Sequence, residues 1–236
     1  AQFIRELGYS YSIAYGDTLI EIWEEAIALS GEETEFGPAF FMDEWQKVVC
    51  AQEAYSLELY LQASRLGRGT RLDRKQRTKV WRVFEEYQNI MKEKQLRDVE
   101  TAMFECRKIL ERSADKTRYI SIIVDEGQDF SMNAFRLLRA LAGPEHPNDL
   151  FIVGDAHQRI YRNKAVMSKC SINIRGRSSY LNINYRTTEE IRRYAFGLLK
   201  GIPFDDLDDD YDDGRKCQSL THGDIPQVEV FSNAGE

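Results

Sequence analysis

Tyr119-Ile120-Ser121-Ile122-Ile123-Val124-Asp125-Glu126-Gly127-Gln128-Asp129, or YISIIVDEGQD, is the stretch whose reading decides the fold. Its first six residues form a continuous β-branched and apolar run. Such a run predicts a strand buried on both faces, as in a parallel sheet. The run stops at three acids, Asp125, Glu126 and Asp129. Carboxylates at the carboxyl end of a buried parallel strand lie where open α/β sheets bind ligands. One carboxylate there can hold Mg²⁺, directly or through water. A second beside it can orient or deprotonate an attacking water. The plainer reading is an acidic loop after a core strand, and this stretch alone leaves both readings open.

Two further stretches shift the balance. Asp149-Leu150-Phe151-Ile152-Val153-Gly154-Asp155 reads as a second buried strand, followed by Ala156-His157-Gln158-Arg159-Ile160-Tyr161. Leu181-Asn182-Ile183-Asn184-Tyr185-Arg186-Thr187-Thr188-Glu189-Glu190-Ile191 runs from a strand into a capped helix. DEGQD resembles motif II (Walker B) of the UvrD/Rep-like superfamily 1 helicases. VGDAHQRIY resembles their motif III, and LNINYRTTEEI their motif IV. Any one of these could arise by chance. All three occur here in the family's order, each at the expected strand or strand end. The resemblance is specific from about Tyr119 to Ile191.

The resemblance implies an α/β fold: part of a RecA-like P-loop NTPase domain built on a parallel sheet, with a mainly helical insertion. It implies four segments. Residues 1–38 would be the trailing part of the first RecA-like domain, and 39–113 the helical insertion. Residues 114–178 would be the RecA-like core with motifs II and III, and 179–236 the start of the second RecA-like domain with motif IV.

The implied roles follow residue by residue. Asp125 would bind Mg²⁺ and nucleotide, and Glu126 would be the base for water attacking the γ-phosphate of ATP. Gln128 and Asp129 complete the motif, with Gln128 on the cofactor side; Asp129 is also placed to cap the next helix. Gln158 matches the glutamine that senses the γ-phosphate. Arg186 matches the arginine that reaches that phosphate across the domain cleft, a task suited to a planar bidentate fork. Tyr185 is either structural or close to adenine. Tyr161 would face nucleic acid. Better-known members carry an aromatic, usually Trp, two residues after the motif III tyrosine. This chain has Asn163 there, which removes a base-stacking contact worth roughly 1–3 kcal/mol.

Composition sets the bounds. The chain has 236 residues, 42% hydrophobic and 30% charged, ordinary for a globular protein. No apolar run approaches the roughly 18 residues a membrane span needs, and no signal segment opens the chain. Cys50, Cys106, Cys170 and Cys217 are scattered without a CxxC pair, which argues for reduced thiols in a cytoplasmic protein and against zinc.

The net charge is −7, but it is unevenly spread. Between Gln62 and Arg82 stand eight bases, Arg65, Arg68, Arg71, Arg74, Lys75, Arg77, Lys79 and Arg82, against the single acid Asp73. The window is +7 and the remainder −14. Such a strip on an acidic protein reads as a surface that tracks phosphates, with Arg65, Arg68, Arg71, Arg74 and Lys75 as its nucleic-acid contacts. The bland alternative is a solvated helix face paired with acids elsewhere. Single-stranded or duplex DNA is the implied partner, with RNA left open, and the protein reads as a monomer away from any membrane.

Along the chain, Asp17 is placed to cap a helix with the stripe Leu19, Ile20, Trp23, Ala26 and Ile27. A second helix is predicted from Phe40 to about Leu66. A third starts at Asp73, with Gln76 at capping-box spacing, and buries Val80, Val83, Phe84, Tyr87 and Met91. A fourth covers Arg97 to Arg112. The pattern then turns to strand, helix from Ser131 to about Ala142, and strand, a βαβ unit with parallel strands. Arg162 to Arg177 reads as a polar, basic connector. Tyr180 to Ile183 reads as a strand, Thr187 and Glu190 as a second capping box, Asp205 to Gly214 as a loop, and Pro226 to Phe231 as a last strand.

No GxxxxGK[ST] phosphate cradle occurs. The chain therefore reads as an internal fragment of a larger ATP-dependent helicase, inactive by itself. One alternative is a non-catalytic module that binds nucleic acid or a partner protein. Another is a two-metal nuclease or phosphatase on Asp125, Glu126, Asp129 and Asp155.

Overall fold

The computed structural model describes residues 5, 8–112, 119–155, 158, 165–199 and 217–230. The chain divides into two compact units, Ala1–Asp155 with Arg159–Ile172, and Ala156–Gln158 with Asn173–Glu236. The loop expected at Asp205 to Gly214 lies outside the described residues.

The first unit opens with a helical body. Its elements are α1 (Gly16–Leu29), α2 (Pro38–Glu44) running into a π-helical turn (Trp45–Cys50), α3 (Leu57–Gln62), α4 (Arg74–Glu93) and α5 (Val99–Arg112). Local sequence sets the starts. Pro38 enters at the first turn, where its missing N–H costs nothing. Ser56 caps α3, accepting from the Leu59 amide at 3.3 Å. Asp73 and Gln76 form the expected capping box at 2.7 and 2.9 Å. Asp17 does not cap α1: Tyr15 stands at the N-cap without a side-chain bond, and Asp17 falls in the first turn.

Aromatic packing holds this body together. Trp23 of α1 stacks on Tyr87 of α4 at 3.7 Å, with planes 5° apart, and meets Phe41, Trp45 and Phe84 around its other sides. The predicted stripe of α4 is buried throughout. The buried Asp98 carboxylate accepts from Trp45 Nε1 (3.2 Å), Tyr87 Oη (2.9 Å), Thr101 Oγ1 (2.7 Å) and the Thr101 amide (2.8 Å). It thus caps α5 and ties three helical segments together. A short parallel pair, β1 (Ser12–Ile13) with β2 (Leu96–Arg97), joins the segments flanking α1 and α4. Neither strand has an alternating pattern long enough to read.

The single helix expected from Phe40 to about Leu66 is broken. After the π-helical turn the backbone reverses at Glu53, whose φ is 56°, and the Ala54 amide bonds Val49 O at 2.8 Å. The break places Glu53 where it bridges Arg107 of α5 (2.7 Å) and Arg136 (2.9 Å).

The βαβ unit follows as predicted: β3 (Ile122–Val124), α6 (Met132–Ala142) and β4 (Leu150–Ile152). The strands are parallel, with Ile122 opposite Leu150, Ile123 opposite Phe151 and Val124 opposite Ile152. Ser131 caps α6, accepting from the Ala134 amide at 3.2 Å, so Asp129 does not take that role. Gly143 ends the helix at φ 77°, a conformation that favours glycine. Burial on both faces is not observed. Ile123 is 76% exposed and Phe151 61%, because the described residues give this sheet two strands and one covered face.

Arg162 to Arg177 is not simply a polar connector. Ala165, Val166, Met167, Cys170 and Ile172 are buried around a 3₁₀ turn at Met167–Cys170, and Cys170 Sγ lies 3.6 Å from Met132 O of α6.

The second unit pairs β5 (Ile183–Asn184) with β6 (Gln218–Ser219) in parallel and carries α7 (Glu189–Leu198). Thr188, rather than Thr187, caps α7. Glu190 instead accepts from the Gly223 amide at 2.9 Å and pairs with His222 at 2.8 Å. Hydrogen bonds from Arg192, the Ser219 amide and Arg193 hold the Glu189 carboxyl well below its ordinary pKa. The strand expected at Pro226 to Phe231 does not form over residues 226–230. Among the described residues, no helix is long and apolar enough to cross a membrane.

Glu44, fully buried at the end of α2, accepts from Tyr60 Oη at 2.9 Å, Arg65 Nε at 2.5 Å and Nη2 at 2.9 Å, and Arg68 Nε at 3.1 Å. Removing one partner of a buried ion cluster strands the rest, at a cost of about 3–5 kcal/mol. Glu44→Ala is therefore expected to lower the unfolding free energy, measured by urea titration, by that amount. A loss of less than about 1 kcal/mol would refute the role given to this cluster.

Candidate active site

The site is built where β3 and β4 end side by side. Val153 N bonds Val124 O at 2.8 Å, and Gly127 N bonds Val153 O at 2.8 Å. The chain leaving β3 therefore stays against the chain leaving β4. Asp125 and Glu126 stand exposed at this edge. Asp125 Oδ1 accepts from the Glu126 amide at 2.9 Å. Glu126 adopts a left-handed backbone conformation, φ 52° and ψ 41°. For a non-glycine residue this costs roughly 1–2 kcal/mol, and such positions cluster at functional sites. The turn directs the chain into a 3₁₀ segment, Gly127–Asp129.

Two glycines permit the close approach. A Cβ on Gly127 would stand 2.8 Å from Ile152 Cγ2 and 3.3 Å from Val153 O. A Cβ on Gly154 would stand 2.8 Å from Gln128 Oε1 and 3.1 Å from the Gln128 amide. Glycine at a strand end marks such an approach of backbone or side chain.

Gln128 departs from expectation. Only 3% exposed, it uses both ends of its amide: Nε2 donates to Glu126 Oε2 at 2.6 Å, and Oε1 accepts from the Asp155 amide at 2.9 Å. Placed on the cofactor side by its motif, it instead lies behind the carboxylates. Asp129 is exposed beyond the turn.

The structure thus brings Asp125, Glu126, Gln128 and Asp155 together in the first unit. Gln158, Tyr185 and Arg186 belong to the second unit. Gln158 is exposed, and Tyr185 is 75% exposed. Asn184 organises the turn before α7: its Oδ1 accepts from the Arg186 amide at 2.9 Å and the Thr187 amide at 3.3 Å. This is an Asx-type turn, and it leaves the Arg186 side chain exposed. Tyr161, His157 and Asn163 lie outside the described residues.

The basic strip divides. Arg65 and Arg68 are bound to Glu44, with side chains only 6% and 15% exposed. Arg77 Nη1 donates to the carbonyls of Tyr60, Leu61 and Ala63, each at 3.0 Å, closing the end of α3. Lys79 and Arg82 pair with Glu32. Arg71, Arg74 and Lys75 stand exposed at the start of α4. Arg65 and Arg68, taken from the sequence as nucleic-acid contacts, are thus structural cations, because a buried carboxylate claims them.

The site rests on the helical body. Glu100 Oε2 accepts from Ser131 Oγ and Asn133 Nδ2, both at 3.1 Å, and Asn133 Nδ2 also lies 3.2 Å from Cys50 O. Burial raises the Glu100 carboxyl pKa against the pull of these donors. The start of α6, directly after the DEGQD turn, is thereby fixed to both α5 and the π-helical turn.

Paired acids at the ends of adjacent parallel strands, beside a helical body, agree with what comparison with other proteins finds. Residues 25–169 match the model of the UvrD/REP helicase N-terminal domain, and the chain belongs to that family. Over 131 residues it is 27% identical to a Bacillus subtilis (strain 168) protein named "Putative ATP-dependent DNA helicase YjcD". The match covers 51% of this chain and 17% of that protein.

Proposed function

We propose that this chain is part of an ATP-dependent DNA helicase or translocase, one that couples ATP hydrolysis to movement on single-stranded DNA and to duplex unwinding. The observation that carries the reading is the placement of Asp125 and Glu126 at the carboxyl end of β3, held against the Gly154-Asp155 end of β4, in a chain of the UvrD/REP helicase family. The division into a first RecA-like domain (1–38 and 114–178), a helical insertion (39–113) and the start of a second RecA-like domain (179–236) belongs to the same proposal.

The donor set at this edge suits Mg²⁺, which prefers hard oxygen ligands and keeps much of its water. Asp125 presents carboxylate oxygen at an exposed strand end and would hold the ion. Bound there with ATP, Mg²⁺ supplies charge neutralisation to the phosphates. Glu126 takes the role of base toward the attacking water, and Gln158 and Arg186 are assigned to the γ-phosphate. Tyr185 is assigned to the nucleotide side. Arg71, Arg74 and Lys75, with Tyr161, are assigned to the DNA backbone and bases.

A non-catalytic module is the second reading, favoured by the lack of a GxxxxGK[ST] sequence in this chain. The two separate on one substitution. In the longer protein proposed here, Glu126→Gln is expected to keep ATP binding and to lower turnover by about 10²-fold or more, since general-base roles contribute roughly 10²–10⁴. A parent without ATPase activity would select the module. A parent that turns over ATP and is unaffected by the substitution would remove Glu126 from the chemistry.

Two further outcomes are expected. The isolated 236-residue chain releases no phosphate from ATP and binds Mg·ATP weakly or not at all, because the phosphate cradle and its Lys are not among its residues. Micromolar binding by calorimetry would contradict this. Reversing Arg71, Arg74 and Lys75 to Glu weakens single-strand binding and flattens its salt dependence, because fewer counterions are released. An unchanged salt slope would return these three cations to the plain solvated surface.

A further inference from the structure

Gln128 is a buried side chain that hydrogen-bonds both the proposed base and the chain leaving β4. Its amide presents a donor at one corner and an acceptor at the other. The donor corner holds Glu126 Oε2 at 2.6 Å, and the acceptor corner takes the Asp155 amide at 2.9 Å. At 3% exposure, it can leave neither end unmatched without the cost of a buried polar group. Alternatives fail for definite reasons. Glutamate would offer acceptors at both corners and repel Glu126. Asparagine is one methylene too short to span the same gap. Leucine would fill the space and bond to nothing.

Gly154 is the other half of the arrangement. The space a Cβ would take there is filled by Gln128 Oε1, 2.8 Å away. Any larger residue at position 154 must push the amide off its position, and with it the donor that Glu126 uses. Glu126 itself is exposed, sits on a left-handed turn, and takes a side-chain hydrogen bond from Gln128.

We infer that Gln128 is a positioning residue: it fixes the Glu126 carboxylate and makes its orientation depend on the backbone at Gly154-Asp155, which admits the amide only because residue 154 lacks a side chain. The inference rests on the proposed role of Glu126 as base. Through this bridge, movement of the chain leaving β4 is transmitted to Glu126 without passing through the nucleotide.

The test uses the longer ATPase and four variants: Glu126→Gln, Gln128→Glu, Gln128→Leu and Gly154→Ala. Gln128→Glu keeps the acceptor for the Asp155 amide and the packing volume, and replaces the donor to Glu126 with a carboxylate oxygen that repels it; Gln128→Leu removes the donor without adding charge. Turnover and the KM for ATP are measured, with melting temperature as a control for folding. A misplacement of about 1 Å at a reacting group can cost roughly 10²-fold. The expected result is a kcat lowered about 10-fold or more in both Gln128 variants, with KM within about two-fold and the same fold retained. Gly154→Ala reproduces the loss, and combining it with Gln128→Leu adds little, because both break one bridge.

If Glu126→Gln is inactive while Gln128→Glu and Gln128→Leu turn over normally, the positioning role is overturned and the base assignment stands. If Glu126→Gln turns over normally, the base assignment itself is overturned, and this inference with it. If Gly154→Ala does not fold, the two Gln128 variants still decide. Equal losses in kcat and stability for Gln128→Leu, with normal kcat in Gln128→Glu, would show a bridge that is only structural and would overturn the inference.

Discussion

The candidate site depends on how closely two chain segments approach one another as they leave β3 and β4. Three backbone hydrogen bonds of 2.8 Å, from Ile122, Val153 and Gly127, hold the strands and their exits together. Gly127 and Gly154 make room, since a Cβ on either would meet atoms at 2.8 Å. Everything chemical follows from this contact. It sets Asp125 and Glu126 at one edge, forces the left-handed turn at Glu126, and buries Gln128 between the two exits. A methyl group at either glycine would affect the acids without touching them.

That edge is held from behind by polar ties as well as by apolar packing between α5 and α6. Glu100 receives Ser131 and Asn133, and Glu53 receives Arg107 and Arg136. Both acids lie in or beside the helical body, and three of their four partners lie at the start of α6 or within it. Hydrogen bonds to carboxylates are directional and stronger than neutral ones, so they help fix the angle at which the DEGQD turn meets the helices. The aromatic cluster around Trp23 supplies bulk stability. The acids supply alignment.

The sequence made much of the local structure legible, although the caps expected at Asp17 and Thr187 do not form there. An apolar run ending in acids located β3, the Asp149 to Asp155 run located β4, and their parallel pairing followed from the helix between them. The Asp73 and Gln76 spacing gave the start of α4, because both partners of a capping box lie within one turn. Most of what failed to show was tertiary. The bases Arg65 and Arg68 look like surface charges until Glu44, 21 and 24 residues earlier, claims them in the core. The apolar residues of 165–172 follow neither a 2 nor a 3.6 period, so their burial against α6 left no pattern to read. Gln128 looked like a motif letter; its task depends on an amide 27 residues away. The break at Glu53 likewise answers to arginines on distant helices.

The open face of the β3–β4 pair has a practical side. Ile123 and Phe151 stand next to each other, 76% and 61% exposed. A short apolar strip on a sheet whose described strands number only two invites edge-to-edge pairing and association between copies. Preparations of this chain by itself will therefore be governed as much by concentration and salt as by folding stability. A charged substitution at Phe151 is the natural means of keeping it dispersed.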